Sequence, residues 1–257
     1  MRKEELLGLI AETVGLDRQE EWDNSGVQID MGGSEISKVL VALEVSDAVI
    51  DEAMDAEADA VITHHPLIFG SISSIKHTDV TGGYIQRLIR AGISCYSYHT
   101  PFDKMDGGNN DQLAEIMGLR DVTKFEDDAA GYLRKGRLPE KMYFGDLIKK
   151  LSEDLKVDVR LFRAVGDPEK EIETVGLCTG SGAEFIRDAW RERCDCYVTG
   201  DVKYHDAQLA KALGIAVLDA GHYATEKGFV ENMAKLLRDK TDLEVICSEA
   251  DLNPFSW

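Results

Sequence analysis

Asp59-Ala60-Val61-Ile62-Thr63-His64-His65-Pro66 holds the pattern that decides the fold: a short, mostly apolar run that ends on two adjacent histidines and a proline. Ala60 to Thr63 reads as a short strand. Upstream, Val39 to Val45 is a second apolar strand, and Ser46, an N-cap residue type, opens a helix that reaches about Ala58. Downstream, Tyr84 to Ala91 is amphipathic and helical, and Ile93 to Tyr98 is a third strand. Alternation of strand and helix predicts a largely parallel sheet covered by helices.

The same order returns 136 residues further on. Thr174 to Cys178 and Cys196 to Thr199 read as strands with a helix from Ala183 to Arg193 between them; a helix from His205 to Leu213 and a strand from Ile215 to Ala220 follow. Val61-Ile62-Thr63 falls on Tyr197-Val198-Thr199, Val39 on Val175, Asp59 on Asp195, and His64-His65 on Gly200-Asp201. Gly92-Ile93 parallels Gly214-Ile215, and the pair His99 and Asp103 parallels His222 and Glu226, each with a spacing of four. The fold class expected is α/β: two interlinked, topologically similar α/β domains with a metal site in the cleft between them. Open α/β sheets take ligands beyond the carboxyl ends of their strands, where these polar residues fall. Residues 121–172 are more charged and less regular, with a helix expected at Met142 to Leu155 and a strand at Val157 to Ala164. The domains expected are 1–122 with the C-terminal tail 221–257, and 123–220.

The chain has 257 residues, 48 acidic and 29 basic, for a net charge of −19. Such a surface aids solubility and repels phosphate backbones, so nucleic-acid binding is not expected. An anionic substrate would need local compensation, which bound cations supply. With no run resembling a membrane span or a signal core, a cytoplasmic protein is the default. The five cysteines are an odd number and fit reduced thiols. Cys194 and Cys196 are read as core thiols on one side of a strand, for want of a second cysteine pair to complete a metal site.

Three stretches place metal-ligand chemistry after strands. His64 and His65, stiffened by Pro66, can point to different sides and serve different ions, or act as satisfied polar groups. In His99-Thr100-Pro101-Phe102-Asp103, Asp103 is a hard oxygen ligand or the cap of the next turn; His99 is a ligand or a proton carrier beside one. In Gly221-His222-Tyr223-Ala224-Thr225-Glu226, a helix starting near Tyr223 brings His222 and Glu226 to one face, although a Glu there also suits the helix dipole. A fourth stretch, Gly200-Asp201-Val202-Lys203-Tyr204-His205-Asp206, offers substrate contacts or ordinary turn chemistry. Three histidines with one Asp and one Glu would suit zinc, iron, manganese or nickel without choosing among them.

Taken together, His64-His65-Pro66-Leu67-Ile68-Phe69, His99 to Asp103 and Gly221-His222 with Glu226 resemble the Nif-three-like family, many of whose members bear the name GTP cyclohydrolase 1 type 2. Trp22-Asp23-Asn24-Ser25-Gly26 and Gly200 to His205 extend the resemblance over nearly the whole chain. The resemblance implies two divalent metal ions per chain held by His64, His65, Asp103, His222 and Glu226, with Glu226 bridging and His99 close by as the catalytic proton carrier. It also implies a homohexameric ring and a small-molecule substrate, a guanine nucleotide whose imidazole ring is opened by water. Glu44 stands where the family often has Asp, and the chain is too short between Asp103 and Thr174 for the extra domain some members carry. No Gly-x-x-x-x-Gly-Lys-Ser/Thr loop is present for a triphosphate. The alternatives are a metal-dependent phosphoesterase or amidase, and a non-catalytic ring-shaped metal-binding scaffold. The closing Asn253-Pro254-Phe255-Ser256-Trp257 sets two aromatics at the terminus, to dock on their own subunit or on a neighbour.

Overall fold

The structure, a computed structural model, describes residues 1–126, 128 and 130–255. Trp257, and with it half of the expectation for the terminal aromatics, lies outside the described residues. The described residues divide into two units, 1–105 with 229–252 and 106–228 with 253–255.

The first unit opens with α1 (Lys3–Val14), β1 (Gly26–Ile29) and β2 (Lys38–Ala42), then α2 (Asp47–Asp55), β3 (Ala60–Thr63), α3 (Val80–Ala91), β4 (Ser94–Ser97) and α4 (Thr100–Lys104). The second holds α5 (Asn109–Ile116), β5 (Arg120–Lys124), β6 (Arg134–Tyr143), α6 (Phe144–Leu155), β7 (Arg163–Val165) and β8 (Glu171–Leu177). It continues through α7 (Ile186–Arg191), β9 (Cys196–Thr199), α8 (Tyr204–Leu213), β10 (Ala216–Asp219) and α9 (His222–Glu226). The chain then supplies α10 (Phe229–Lys240) and β11 (Glu244–Cys247) to the first unit.

In the first unit the strand order is β1-β4-β3-β2-β11, parallel except for β1 against β4. In the second it is β5-β6-β8-β9-β10-β7, where β8, β9 and β10 form the parallel centre and the flanking pairs are antiparallel. The central strands β2, β3, β9 and β10 are apolar because both faces are covered: Val39, Val41, Ile62, Tyr197, Val198 and Leu218 are all buried.

The internal repeat is a repeat of hydrogen bonding as well as of sequence. Val39 pairs with Ala60 and Val41 with Ile62; 136 residues on, Val175 pairs with Cys196 and Leu177 with Val198. Asp59 fixes its register by accepting from the backbone N–H groups of Ser37 and Lys38 at 2.7 and 3.0 Å, and Asp195 does the same for Glu173 and Thr174 at 3.0 and 2.9 Å. The third strands repeat too, since Tyr98 N–H donates to Thr63 O and Ala220 N–H to Thr199 O, both at 2.8 Å. That anchor shifts the expected parallel by one residue. His99 corresponds to Gly221, both helix N-caps, and Asp103 to Thr225.

The boundaries differ from the expected 122 and 220. Leu113, Ala114 and Met117, on and just past α5, are buried with Leu138, Val175 and Leu177, and Ala220 and Ala224 join the same cluster. The segment 106–122 and the helix bearing His222 and Glu226 therefore pack with the second unit. The strand expected at Val157 to Ala164 is replaced by a 3-10 turn, Val159–Leu161, and the short β7, because the Asp158 side chain takes up Arg160 N–H at 2.9 Å. Cys194 and Cys196 are both buried, but they enter two different core clusters rather than sharing a side, since Cys194 lies in the turn before β9. Among the described residues no helix is long and apolar enough to cross a membrane.

Candidate functional site

In the first unit, β3 ends at Thr63, whose hydroxyl shares a 2.8 Å hydrogen bond with Ser97 at the end of β4. The chain then turns sharply: the N–H groups of His64 and His65 both donate to Leu43 O, at 3.1 and 2.9 Å. Beyond β4, Pro101 in the first turn helps to start α4. Lys104 holds that helix down through Arg18 O at 2.8 Å and Glu20 at 2.6 Å. His64, His65 and His99 are thereby brought together, with one ring nitrogen from each lying within 4.8 Å of the others.

Each of these rings has its Nδ1 turned away to an oxygen. His64 Nδ1 meets Tyr98 O at 3.0 Å, His65 Nδ1 meets Glu44 Oε2 at 3.2 Å, and His99 Nδ1 meets Asp23 Oδ1 at 3.0 Å. A carbonyl or carboxylate oxygen only accepts, so Nδ1 carries the proton in all three and a neutral ring keeps its lone pair on Nε2. His64 is fully buried, and its Nε2 lies 3.5 Å from Asp103 Oδ1. A cation or a proton between two such electron-pair donors relieves their repulsion. Imidazole nitrogens beside a carboxylate form a donor set for divalent transition metals, so the residues fit such an ion.

Asp23 is the functional residue that sequence reasoning left without a role. Its buried carboxylate accepts from Asn24 N–H at 2.8 Å, the Ser25 hydroxyl at 2.7 Å and the Thr100 hydroxyl at 2.6 Å, besides His99. Burial opposes its ionisation, but the hydrogen bonds from His99, Thr100 and Ser25 prevail and hold the carboxyl below the usual range. The signal was present in Trp22-Asp23-Asn24-Ser25-Gly26, where polar and small residues follow one another directly. Glu44, marked by the sequence as a departure, acquires a task as the acceptor that orients His65.

In the second unit the pattern recurs. His222 is the first residue of α9 and Glu226 the last; His222 Nε2 lies 2.9 Å from Glu226 Oε2, and its Nδ1 meets Asp201 Oδ2 at 2.7 Å. Asp201 adopts a left-handed φ of 55°, a conformation Asp tolerates better than most residues. Gly180 backs the pair with its own left-handed φ of 65°; a Cβ there would stand 2.0 Å from Glu226 Oε1. Thr225 and Gly200 secure Gly180, through 3.0 Å to its N–H and 2.8 Å to its carbonyl. Asp219, also buried, sets the turn by accepting from Gly221 N–H and Val202 N–H, both at 3.1 Å. A cavity of about 470 Å³ opens beside His222, lined in part by Arg160, Arg163, Tyr223 and Phe255.

Of the fourth stretch only Asp201 reaches a candidate ligand. Lys203 and Asp206 cap α8, with Lys203 N–H donating to Asp206 at 3.0 Å, and His205 is exposed beside Tyr204. Within the units, then, the structure brings His64, His65, His99 and Asp103 together in the first, and His222 and Glu226 together in the second.

Comparison with known proteins finds relatives of the whole chain. The family model described as Duf34/NIF3 (NGG1p interacting factor 3) matches residues 1–254. A protein named GTP cyclohydrolase 1 type 2 from Helicobacter pylori is 33% identical over 235 residues, covering 91% of this chain and 90% of its own. A GTP cyclohydrolase 1 type 2 homolog from Clostridium perfringens is 30% identical over 263 residues, covering all of both chains. Among solved structures, the Staphylococcus aureus hypothetical protein SA1388 matches with a TM-score of 0.92 at 26% identity, covering 100% of this chain and 99% of its own.

Proposed function

The chain belongs to the Duf34/NIF3 (NGG1p interacting factor 3) family, and from that premise we propose that it is a hydrolase dependent on divalent metal ions. Its ligands are His64, His65 and Asp103 from the first unit and His222 and Glu226 from the second, for two ions per chain. One observation carries this reading: four histidines each commit Nδ1 to a carbonyl or carboxylate, and His64 and His222 each turn Nε2 toward a carboxylate. Histidines that serve only to satisfy the core have no need of so uniform a tautomer. Iron, zinc, manganese and nickel all suit these donors.

Ions of this kind, held by these residues, would supply Lewis acidity that activates water and stabilises negative charge developing at the reacting centre. The protein's own groups do the rest. Glu44 and Asp201 hold the rings of His65 and His222 in orientation. His99, fixed through Nδ1 by the buried Asp23, accepts or returns a proton at Nε2. The names of the relatives direct the finer reading to a guanine nucleotide whose imidazole ring is opened by water. The net charge of −19 works against such an anion; bound cations would provide the local compensation, since Arg160 and Arg163 beside His222 are already paired with Asp158 and Asp219.

Elemental analysis of the wild type beside His65→Ala and Glu226→Ala tests the reading. About two ions per chain in the wild type, with clear loss in folded variants, is the expected result, followed by loss of purine absorbance when GTP is added. A protein that stays metal-free after reconstitution with iron, manganese and zinc would sink it.

A further inference from the structure

Trp22 and Phe69 are large aromatics left 57% and 63% exposed, yet they are not scattered surface residues. Their ring centroids lie 5.9 Å apart, and both neighbour the imidazole of His99, at 5.8 and 6.4 Å. Three rings from three separate stretches thus form one open cluster within the first unit, and the ring at its inner end is the proton carrier of the proposed reaction.

Polar bonds secure the stretches of chain that carry the two exposed rings. Asn24 Nδ2 donates to Ile68 O at 2.7 Å, and Ile68 N–H donates to Gln28 Oε1 at 3.0 Å, so the residue preceding Phe69 is tied to the loop that follows Trp22. Asn24 and Gln28 also bond each other, at 2.5 and 3.3 Å. Asp23, next to Trp22, grips His99 and Thr100. Exposed aromatics grouped on a hydrogen-bonded frame keep apolar area in water that the core does not use. That combination suits a binding face whose backbone is set before it is covered.

We propose that Trp22 and Phe69 are the stacking platform for a planar heteroaromatic ring of the substrate, set beside His99. The proposal rests on the hydrolase reading for what happens next, but not for binding. A flat π-system offers every base the same face, and stacking on aromatic side chains needs no positive charge, which this acidic chain lacks in excess. Selection among planar rings then falls to the polar groups around them.

The probe is guanosine, read by fluorescence in a chain carrying Trp190→Phe and Trp257→Phe, so that Trp22 alone emits. Saturable quenching by guanosine, and none by ribose 5-phosphate, is the expected result with or without added metal. Phe69→Ala should weaken that binding by roughly 5- to 150-fold, the range for losing one stacking partner, and Phe69→Tyr should restore it. For turnover, Trp22→Ala should raise KM far more than it lowers kcat. Quenching that is absent, or insensitive to Phe69→Ala, overturns the platform even where metal content and turnover stand. A Trp22→Ala protein with unchanged KM that sediments as a smaller species overturns it as well, and assigns the aromatics to contact with a second copy of the chain. Metal content measured on the same samples reports separately on the hydrolase reading.

Discussion

At the residue scale, the acceptors behind the histidines decide what those histidines can do. Replacing Asp23 by Asn keeps the shape and removes the charge that holds the Nδ1 proton of His99. On the proposed reaction, kcat is expected to fall by roughly 10–100-fold with the fold retained, the range for carboxylates behind metal-ligating histidines, and steady-state kinetics beside circular dichroism would check it. Asp23 also makes a pH prediction. Its folded pKa is depressed, so its stabilising contribution is present above the unfolded value of about 3.9 and is lost as pH falls through the folded one. Wild type should therefore lose stability more steeply than Asp23→Asn as pH drops below about 4. Parallel acid titrations of the two proteins that superimpose would contradict this. Gly180 is the other residue whose identity is dictated. Alanine there adopts a left-handed backbone at a cost of about 1–2 kcal/mol and drives a methyl into Glu226. Gly180→Ala should lower both melting temperature and metal content, whereas a change in melting temperature alone would separate Gly180 from the proposed ligand pair His222 and Glu226.

At the scale of elements, the clasp between consecutive parallel strands is the recurring device. Asp59 and Asp195 each accept two backbone N–H groups from the preceding strand, in the first and second unit respectively. Removing either by alanine leaves two donors without their acceptor, at a cost of about 1–3 kcal/mol. The two sites share no partner, so the double variant should lose close to the sum in urea denaturation; a strong departure from additivity would show the clasps to be coupled. This device also explains what could be read from the bare sequence. Asp59 over Asp195 and Val61-Ile62-Thr63 over Tyr197-Val198-Thr199 were legible because the repeat is local and keeps its register. The elements that escaped depend on partners distant in sequence. β6 carries Pro139 amid alternating charges and pairs with β8 through a shift of register between Arg137 and Met142, so no period survives in its sequence. β1 has four residues and an antiparallel partner in β4, and nothing in Gly26-Val27-Gln28-Ile29 announces either. The candidate histidines were legible because each follows a strand; Asp23 stood out only as part of Trp22 to Gly26 and Gly180 not at all, because their roles exist only once the loops around them have closed.

At the scale of the whole molecule, the chain runs from the first unit into the second and then supplies the first with its last helix and strand. The boundary was misplaced in the sequence because α5 and α9 show no local mark of the core they join, and only the burial of Leu113, Met117 and Ala224 assigns them. This order of the chain makes the first unit dependent on residues far downstream. β11 pairs along the whole of Val39 to Val41 at the edge of its sheet, and Phe229, Met233 and Leu237 of α10 are fully buried. Each such side chain contributes roughly 1.5–3 kcal/mol when buried. Losing three removes about 5–9 kcal/mol, as much as the whole stability of many domains at about 5–15 kcal/mol. A chain ending at Gly228 should therefore fail to protect the amides of β2 and β3 against hydrogen exchange while those of β9 and β10, whose strand partners all precede the cut, stay protected. It should also lose the grouping of His64, His65 and His99, since these residues follow strands of the unfolded sheet, while keeping the pairing of His222 with Glu226. Equal loss of protection in both sheets would mean that the second unit depends on the first for its own stability; equal retention would mean that α10 and β11 add little beyond covering an edge.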